Sequence, residues 1–185
     1  MEPSLPAPRR WRQRSEAALI RGAQAGSETD LEELFRRHWR RAYRAAFLIV
    51  HDHAAAEDIA QESFLAAIRT LHRFDRRRQF SPWLARIVAN RAIDWTRARA
   101  ARREVDRELP EQSAPLEVTG YSDDLLRALA TLTPEHRAVV VLRYVLEYTP
   151  GEIARVLELP RGTVNSRLRR GLDALDARLR EVELS

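Results

Sequence analysis

Apolar residues recur along this chain at helical spacing, and polar or glycine punctuation divides them into successive runs. Leu19, Ile20 and Ala23 predict a short helix over Ser15–Ala25, ended by Gly26. Ser27 or Thr29 opens a longer helix that reaches about Val50, with Leu31, Leu34, Phe35, Ala42, Ala46 and Ile49 as its buried stripe. His51-Asp52-His53 interrupts the pattern. Ala54–Leu71 resumes it, with Ile59, Phe64, Ala67, Ile68 and Leu71 inward. His72–Phe80 reads as a loop. Ser81 then caps a helix with Pro82 in its first turn, and Trp83, Leu84, Ile87, Val88 and Trp95 lie among its apolar residues as far as Arg103.

The second half repeats this grammar in shorter pieces. Ser122 caps a helix carrying Leu125, Leu126, Leu129 and Leu132, and Thr133-Pro134-Glu135 opens another with Val139, Val140, Leu142 and Tyr144. From Thr149 to Leu172 the chain reads as two short helices about a tight turn. Thr149, Pro150 and Glu152 form a capping box with proline in the first position, and Ile153, Ala154 and Leu157 face inward. Glu158-Leu159-Pro160 breaks the helix, and Val164, Leu168 and Leu172 are expected on the buried face of the next one. The stripe continues through Leu175 and Leu179. Strand signals are weak, because Val and Ile fall within helical patterns. The expected fold is all-α: two small helical domains joined by a flexible linker, the C-terminal one a helix-turn-helix.

Composition adds boundaries. Residues 1–14 hold three prolines and four arginines around Trp11 and read as a disordered basic tail. Residues 104–120 carry Glu104, Asp106, Glu108, Glu111 and Glu117 with Pro110, Pro115 and Gly120, an acidic irregular linker. The domains are thus expected at 15–103 and 121–182. Among 185 residues there is no cysteine, which excludes disulfides and thiolate metal sites. No apolar signal-peptide core and no stretch of membrane-spanning length is present, so a cytoplasmic protein without membrane insertion is expected.

Charge changes the picture by position more than by amount. The net charge is +5 and all 32 basic residues are arginine. Arginine suits bidentate contact with phosphate or guanine, although a codon bias toward arginine explains much of the number. From Arg69 to Arg103 there are eleven arginines against Asp75 and Asp94, interleaved with aromatic residues. Charge that follows a backbone and rings that stack bases are what single-stranded nucleic acid requires; solvated arginines over core aromatics are the plainer alternative. The outer face of the last helix carries Arg161, Thr163, Asn165, Ser166, Arg167, Arg169 and Arg170, with no acid from Arg161 to Arg170. That set suits a major groove, against the alternative of a solvated surface helix. Glu57, Asp58, Gln61, Glu62 and Leu65 form a mostly acidic second face, a docking surface or merely solvated acid. Glu57 and Asp58 point apart on a helix and make a poor acid–base pair. His51 and His53 have no third ligand nearby in sequence, and a polar turn is favoured over a metal site.

Two motif sets in order carry a specific resemblance. AEDIAQESFLAAI at Ala56–Ile68 and FSPWLARIVANRAIDWTR at Phe80–Arg97 resemble the second conserved region of bacterial sigma factors. LTPEHRAVVVLRYVLEYTPGEIARVLELPRGTVNSRLRRG at Leu132–Gly171 resembles the fourth. With its short linker the chain resembles a group-four, extracytoplasmic-function (ECF) sigma factor of the sigma-70 family, over nearly its whole length apart from tail and linker.

The resemblance implies roles. Asp58, Gln61, Glu62 and Leu65 match the face that grips the clamp coiled coil of the polymerase's largest subunit. The loop from Phe74 through Arg76, Arg77 and Arg78 to Phe80 matches the one that captures a flipped minus-ten base. Asn90, Arg91, Asp94 and Arg97 match the face that holds the unpaired strand. Arg161, Thr163, Asn165, Ser166, Arg167, Arg169 and Arg170 match the helix that enters the minus-thirty-five major groove. Expected partners are core RNA polymerase, including the flap of its second-largest subunit, promoter DNA both duplex and single-stranded, and an anti-sigma factor. No cofactor, metal or catalysis is implied, and no sensor domain is expected after Leu184. Two positions depart from the family pattern: Asn165, where many relatives are basic, and Glu158, where relatives often have glycine. A left-handed Glu158 would cost ~1 kcal/mol. The rival readings are an autonomous helix-turn-helix regulator with a helical dimerisation or sensor half, and a helical hydrolase, for which His38, His51, His53, His72 and His136 form no ligand constellation.

Overall fold

A computed structural model describes residues 14–106 and 120–183. The tail expected at 1–14 and the linker expected at 104–120 therefore lie almost wholly outside the described residues. The described residues form helices α1 (Glu16–Gln24), α2 (Glu28–Val50), α3 (His53–Thr70) and α4 (Phe80–Asp106), then α5 (Asp123–Thr131), α6 (Pro134–Tyr144), α7 (Pro150–Leu157) and α8 (Arg161–Glu183), with a 3-10 turn at Leu71–Arg73 after α3. Six starts follow one rule. Ser15, Ser27, Asp52, Ser122, Thr133 and Thr149 sit in extended backbone, and each side chain accepts from an N–H in the first turn. Such a cap is worth ~1 kcal/mol. Asp52 moves the start of α3 to His53, one residue earlier than the hydrophobic pattern suggests. The start of α4 differs too: Phe80 is already helical, so Ser81 is not a cap. Its hydroxyl instead meets the Tyr148 hydroxyl at 3.0 Å.

The two halves, α1–α4 and α5–α8, pack against each other. α2 is the central element, touching α1, α3 and α4 on one side and α5 and α6 on the other. Every residue from Ala45 to Val50 is consequently buried, including Phe47, Leu48 and Val50, which lie off the predicted stripe. A helix buried all round is enclosed from several sides. α4 packs on α6 and α7. Polar links join the halves: Arg137 donates to the Ile49 carbonyl at 2.5 Å, Arg86 meets Glu158 at 2.7 Å, Arg97 meets Glu135 at 2.5 Å, and Arg41 donates to the Leu146 carbonyl.

Three residues expected inside lie at the surface: Phe35 (38% exposed), Ile68 (39%) and Leu172 (37%). Phe35 and Ile68 stand on the rim of a small groove between α2 and α3, where Phe35 still packs on Phe64, the rings tilted with centroids 4.7 Å apart. Leu172 is outside because a helix turns every 3.6 residues, so a four-residue step drifts around the axis. After Val164 and Leu168 the inward position falls on Gly171, then Leu175. A Cβ at Gly171 would lie 3.0 Å from Val140 Cγ2, so the small residue lets α8 approach α6.

Candidate nucleic-acid interface

α3 presents Asp58, Gln61, Glu62 and Leu65 to solvent as one stripe at helical spacing, with Leu65 52% exposed. Ala55, Ala56, Ile59, Ala60, Ser63, Phe64 and Ala67 fill the opposite side. Gln61 donates to the Glu57 carboxylate at 3.3 Å, and Glu62 takes Arg91 of α4 at 2.6 Å. Among the described residues Asp58 makes no ion pair. The face is an acidic strip with an apolar end at Leu65.

The loop between the 3-10 turn and α4 is built on an aromatic plug. Phe74 is 7% exposed and Phe80 3%; their rings lie 5.9 Å apart, and Trp83 lies 4.7 Å from the first and 5.5 Å from the second. The expectation that Phe74 and Phe80 offer rings to a base is corrected: burial spends both rings on the core, and they anchor the ends of the loop. Between them Arg76, Arg77 and Arg78 are exposed. Asp75 shapes this arc, its carboxylate accepting from the Arg77 N–H at 3.0 Å and its carbonyl from the Arg78 N–H at 2.9 Å. Two residues of α1 hold the loop and had no sequence signal. Gln24 donates to the carbonyls of Leu71 (2.9 Å) and Phe74 (3.0 Å), and Glu16 accepts from the Phe80 N–H at 3.2 Å. Contacts across such sequence distances leave no local pattern to read.

On α4, Asn90, Asp94 and Arg97 are exposed and share one face, while Arg91 is half-buried against Glu62. Asn90 thus keeps an amide donor and acceptor at the surface. Arg97 is engaged: its guanidinium reaches Glu135 at the start of α6. Burial would raise the Glu135 carboxyl, but its own backbone N–H and Arg97, with Arg167 beyond, outweigh that and hold it below the usual carboxylate range.

The helix-turn-helix is α7, the Glu158-Leu159-Pro160 turn and α8. The capping box is formed, Thr149 N–H to Glu152 at 2.8 Å and Glu152 N–H to the Thr149 hydroxyl at 3.3 Å. The Thr149 N–H also holds the Glu152 carboxyl below its ordinary value. Glu158 is left-handed, φ 53° and ψ 43°, as the turn requires. Ile153, Val156, Val164 and Leu168 close the interior; Ala154 and Leu157 are half-buried beside them. Outward, Arg161, Asn165, Arg169 and Arg170 are exposed, and Thr163, Ser166 and Arg167 are half-buried. The Ser166 hydroxyl donates to the Thr163 carbonyl at 3.0 Å. Among the described residues none of these four arginines of α8 makes an ion pair, so their charge is available.

Among the described residues no three His, Cys, Asp or Glu side chains are grouped to hold a metal ion, and no helix is long and apolar enough to cross a membrane.

Comparison with known proteins follows the same division. The family model for Sigma-70 region 2 matches residues 34–102, and that for Sigma-70, region 4, matches 122–175. The chain is 33% identical over 159 residues to ECF RNA polymerase sigma factor SigW of Bacillus subtilis, covering 76% of this chain and 83% of that one. It is 35% identical over 172 residues to ECF RNA polymerase sigma factor SigL of Mycobacterium tuberculosis, covering 89% and 97%. Among solved structures, CnrH in complex with the cytosolic domain of CnrY superposes with TM-score 0.69 at 29% identity, over 90% of this chain and 97% of that one. RpoE of Bartonella quintana, in complex with the anti-sigma factor NepR, superposes with TM-score 0.70 over 82% and 98%; at 20% identity it speaks for the fold.

Proposed function

Because the chain belongs to the ECF RNA polymerase sigma factors of the sigma-70 family, we propose that its two helical halves divide promoter recognition between them by the surfaces described above. The protein binds core RNA polymerase and directs promoter-specific initiation. In this reading the α3 strip of Asp58, Gln61, Glu62 and Leu65 docks on the clamp coiled coil of the largest subunit. The α8 face of Arg161, Asn165, Arg169 and Arg170 lies in the minus-thirty-five major groove, with Thr163, Ser166 and Arg167 at its edge. The loop arginines Arg76, Arg77 and Arg78, with Asn90, Asp94 and Arg97 on α4, hold the melted minus-ten strand, and Arg91 joins them if it leaves Glu62. The second half also meets the flap of the second-largest subunit.

The observation that carries this reading is the pairing of two surfaces of opposite character in one chain. One is an acidic-apolar strip suited to protein. The other is a set of unpaired arginines on a helix-turn-helix suited to duplex. Phosphate contacts supply much of the affinity and make it salt-dependent; base-edge contacts supply choice. Extracting a base costs a few kcal/mol, offset by contacts to the unpaired edge, for which Asn90 is suited. The chemistry is binding without catalysis, and the setting is the cytoplasm, where polymerase and promoter are. An anti-sigma factor is a further partner, as the complexes of CnrH and RpoE suggest. The test is reconstitution: the chain added to core polymerase should give transcription only from templates bearing its promoter. A chain that bound DNA alike with and without polymerase would instead be an autonomous regulator.

A further inference from the structure

His51 ends α2 in the left-handed conformation, φ 53° and ψ 39°, a position glycine fills by default. A non-glycine residue held there is retained by its surroundings. Its N–H donates to the Phe47 carbonyl at 2.7 Å, its ring packs on Phe47 with centroids 6.2 Å apart, and its Nε2 is fully buried without a hydrogen-bond partner among the described residues. The neighbouring carbonyl, Ile49, is one of the unpaired acceptors at the C-terminal end of α2. Its partner comes from the other half: Arg137 of α6, 6% exposed, donates Nη1 to it at 2.5 Å and uses Nη2 for the carbonyls of Ala130 (2.7 Å) and Leu132 (2.9 Å). One guanidinium therefore ties the C-terminal end of α2 to the second half, beside a ring nitrogen that has no partner.

We propose that the packing of the two halves is a proton-sensitive latch, in which Arg137 and the protonated ring of His51 compete for the C-terminal end of α2. The negative end of a helix favours a cation. With the halves together that cation is Arg137, and burial, reinforced by the Arg137 charge, pushes the His51 ring down to about 3. With the halves apart Arg137 is gone, water reaches the ring, and His51 titrates near the ordinary histidine value of ~6.5. The sign follows from linkage. The group is depressed in the closed form, so closure is fully favoured above ~6.5 and loses ground as pH falls from there toward 3. The other titratable and charged groups of the elements meeting here are Asp52, held at 2.6 Å by Arg99 of α4, His53, bonded to the Tyr43 hydroxyl, and Arg44 of α2, lying over the Tyr121 ring. Of these, His53 also packs at the end of α2, its ring centroid 4.4 Å from that of Phe47, but Arg137 donates to none of them. His38 belongs to the first half, with its Nε2 3.0 Å from Glu16, and is a separate acid-sensitive group.

The latch matters because Arg97 spends its charge on Glu135 while the halves are closed. It rests on the reading that the two halves divide promoter recognition between them, but its test uses the free full-length chain without polymerase or DNA, so its failure would leave that reading standing. The chain has no cysteine, so Arg69→Cys and Asp173→Cys allow one dye in each half. An Arg86→Ala background removes the ion pair to Glu158 and so loosens closure. Single-molecule energy transfer at pH 7.5 and 5.5 is expected to show the open-to-closed ratio rise roughly tenfold. His51→Gly, which keeps the left-handed backbone, and His51→Asn, which tolerates it, should each reduce that rise to less than about twofold, with helical circular dichroism unchanged at both pH values. An equal rise in both variants would assign the effect to a group other than His51 and overturn the latch. So would a wild-type ratio that does not move with pH.

Discussion

The Glu158 carboxylate, at the left-handed residue between α7 and α8, lies 2.7 Å from the guanidinium of Arg86 in α4. The turn of the helix-turn-helix is thus pinned to the helix that carries Asn90. The pin is mostly exposed, and such pairs contribute ~0–1 kcal/mol. The strained backbone beneath it costs ~1 kcal/mol. Glu158→Gly should therefore raise unfolding stability by up to about 1 kcal/mol in urea melts at high salt, where the ion pair is screened. A lower midpoint there would mean that the glutamate contributes more than its contacts show.

Asp58 projects from α3 with no ion-pair partner among the described residues, away from the packed side of Ile59 and Phe64. Asp58→Arg should weaken binding to core polymerase by tenfold or more, roughly the effect of placing a like charge against a basic partner, with an unchanged melting temperature. A pull-down at wild-type affinity would remove the docking role of this face.

Arg161, Asn165 and Arg169 stand one above another on α8 at four-residue steps. Arg169→Ala in reconstituted holoenzyme should cost about 1–3 kcal/mol on the cognate minus-thirty-five element and little on a scrambled one. A uniform loss with a shallower salt dependence would assign Arg169 to phosphate.

Asn90 and Phe80 make opposite predictions. Asn90 is exposed on α4, so Asn90→Ala should leave stability unchanged and depress transcription from duplex promoters. A template pre-melted across the minus-ten element should restore much of that loss. Phe80 is 3% exposed within the aromatic plug. Phe80→Ala should instead destabilise the first half by about 3–5 kcal/mol, visible in thermal melts without any DNA. Equal behaviour of the two variants on the pre-melted template would place Asn90 among the structural residues.

What could be read along the chain was whatever is decided within a turn or two of helix. The caps at Ser15, Ser27, Ser122, Thr133 and Thr149, the capping box at Glu152 and the order of the helices follow from short-range hydrogen bonding and periodicity. So does the arginine face of α8, because no acid stands between Arg161 and Arg170. The left-handed Glu158 was signalled by the resemblance, in which relatives often have glycine at that place in the turn. Three-dimensional packing decided the rest. Leu172 gave up its inward place to Gly171 because the direction a side chain faces depends on where the neighbouring helix lies, and α6 approaches there so that a Cβ would stand 3.0 Å from Val140 Cγ2. Phe74 and Phe80 look like stacking platforms in a basic loop. They became a plug because Trp83 and α1 close over them, and contact with residues dozens of positions away has no periodicity. The union of the halves was hidden for the same reason. Arg97 with Glu135, Ser81 with Tyr148 and Arg137 with the end of α2 are ordinary polar residues until the fold brings them together.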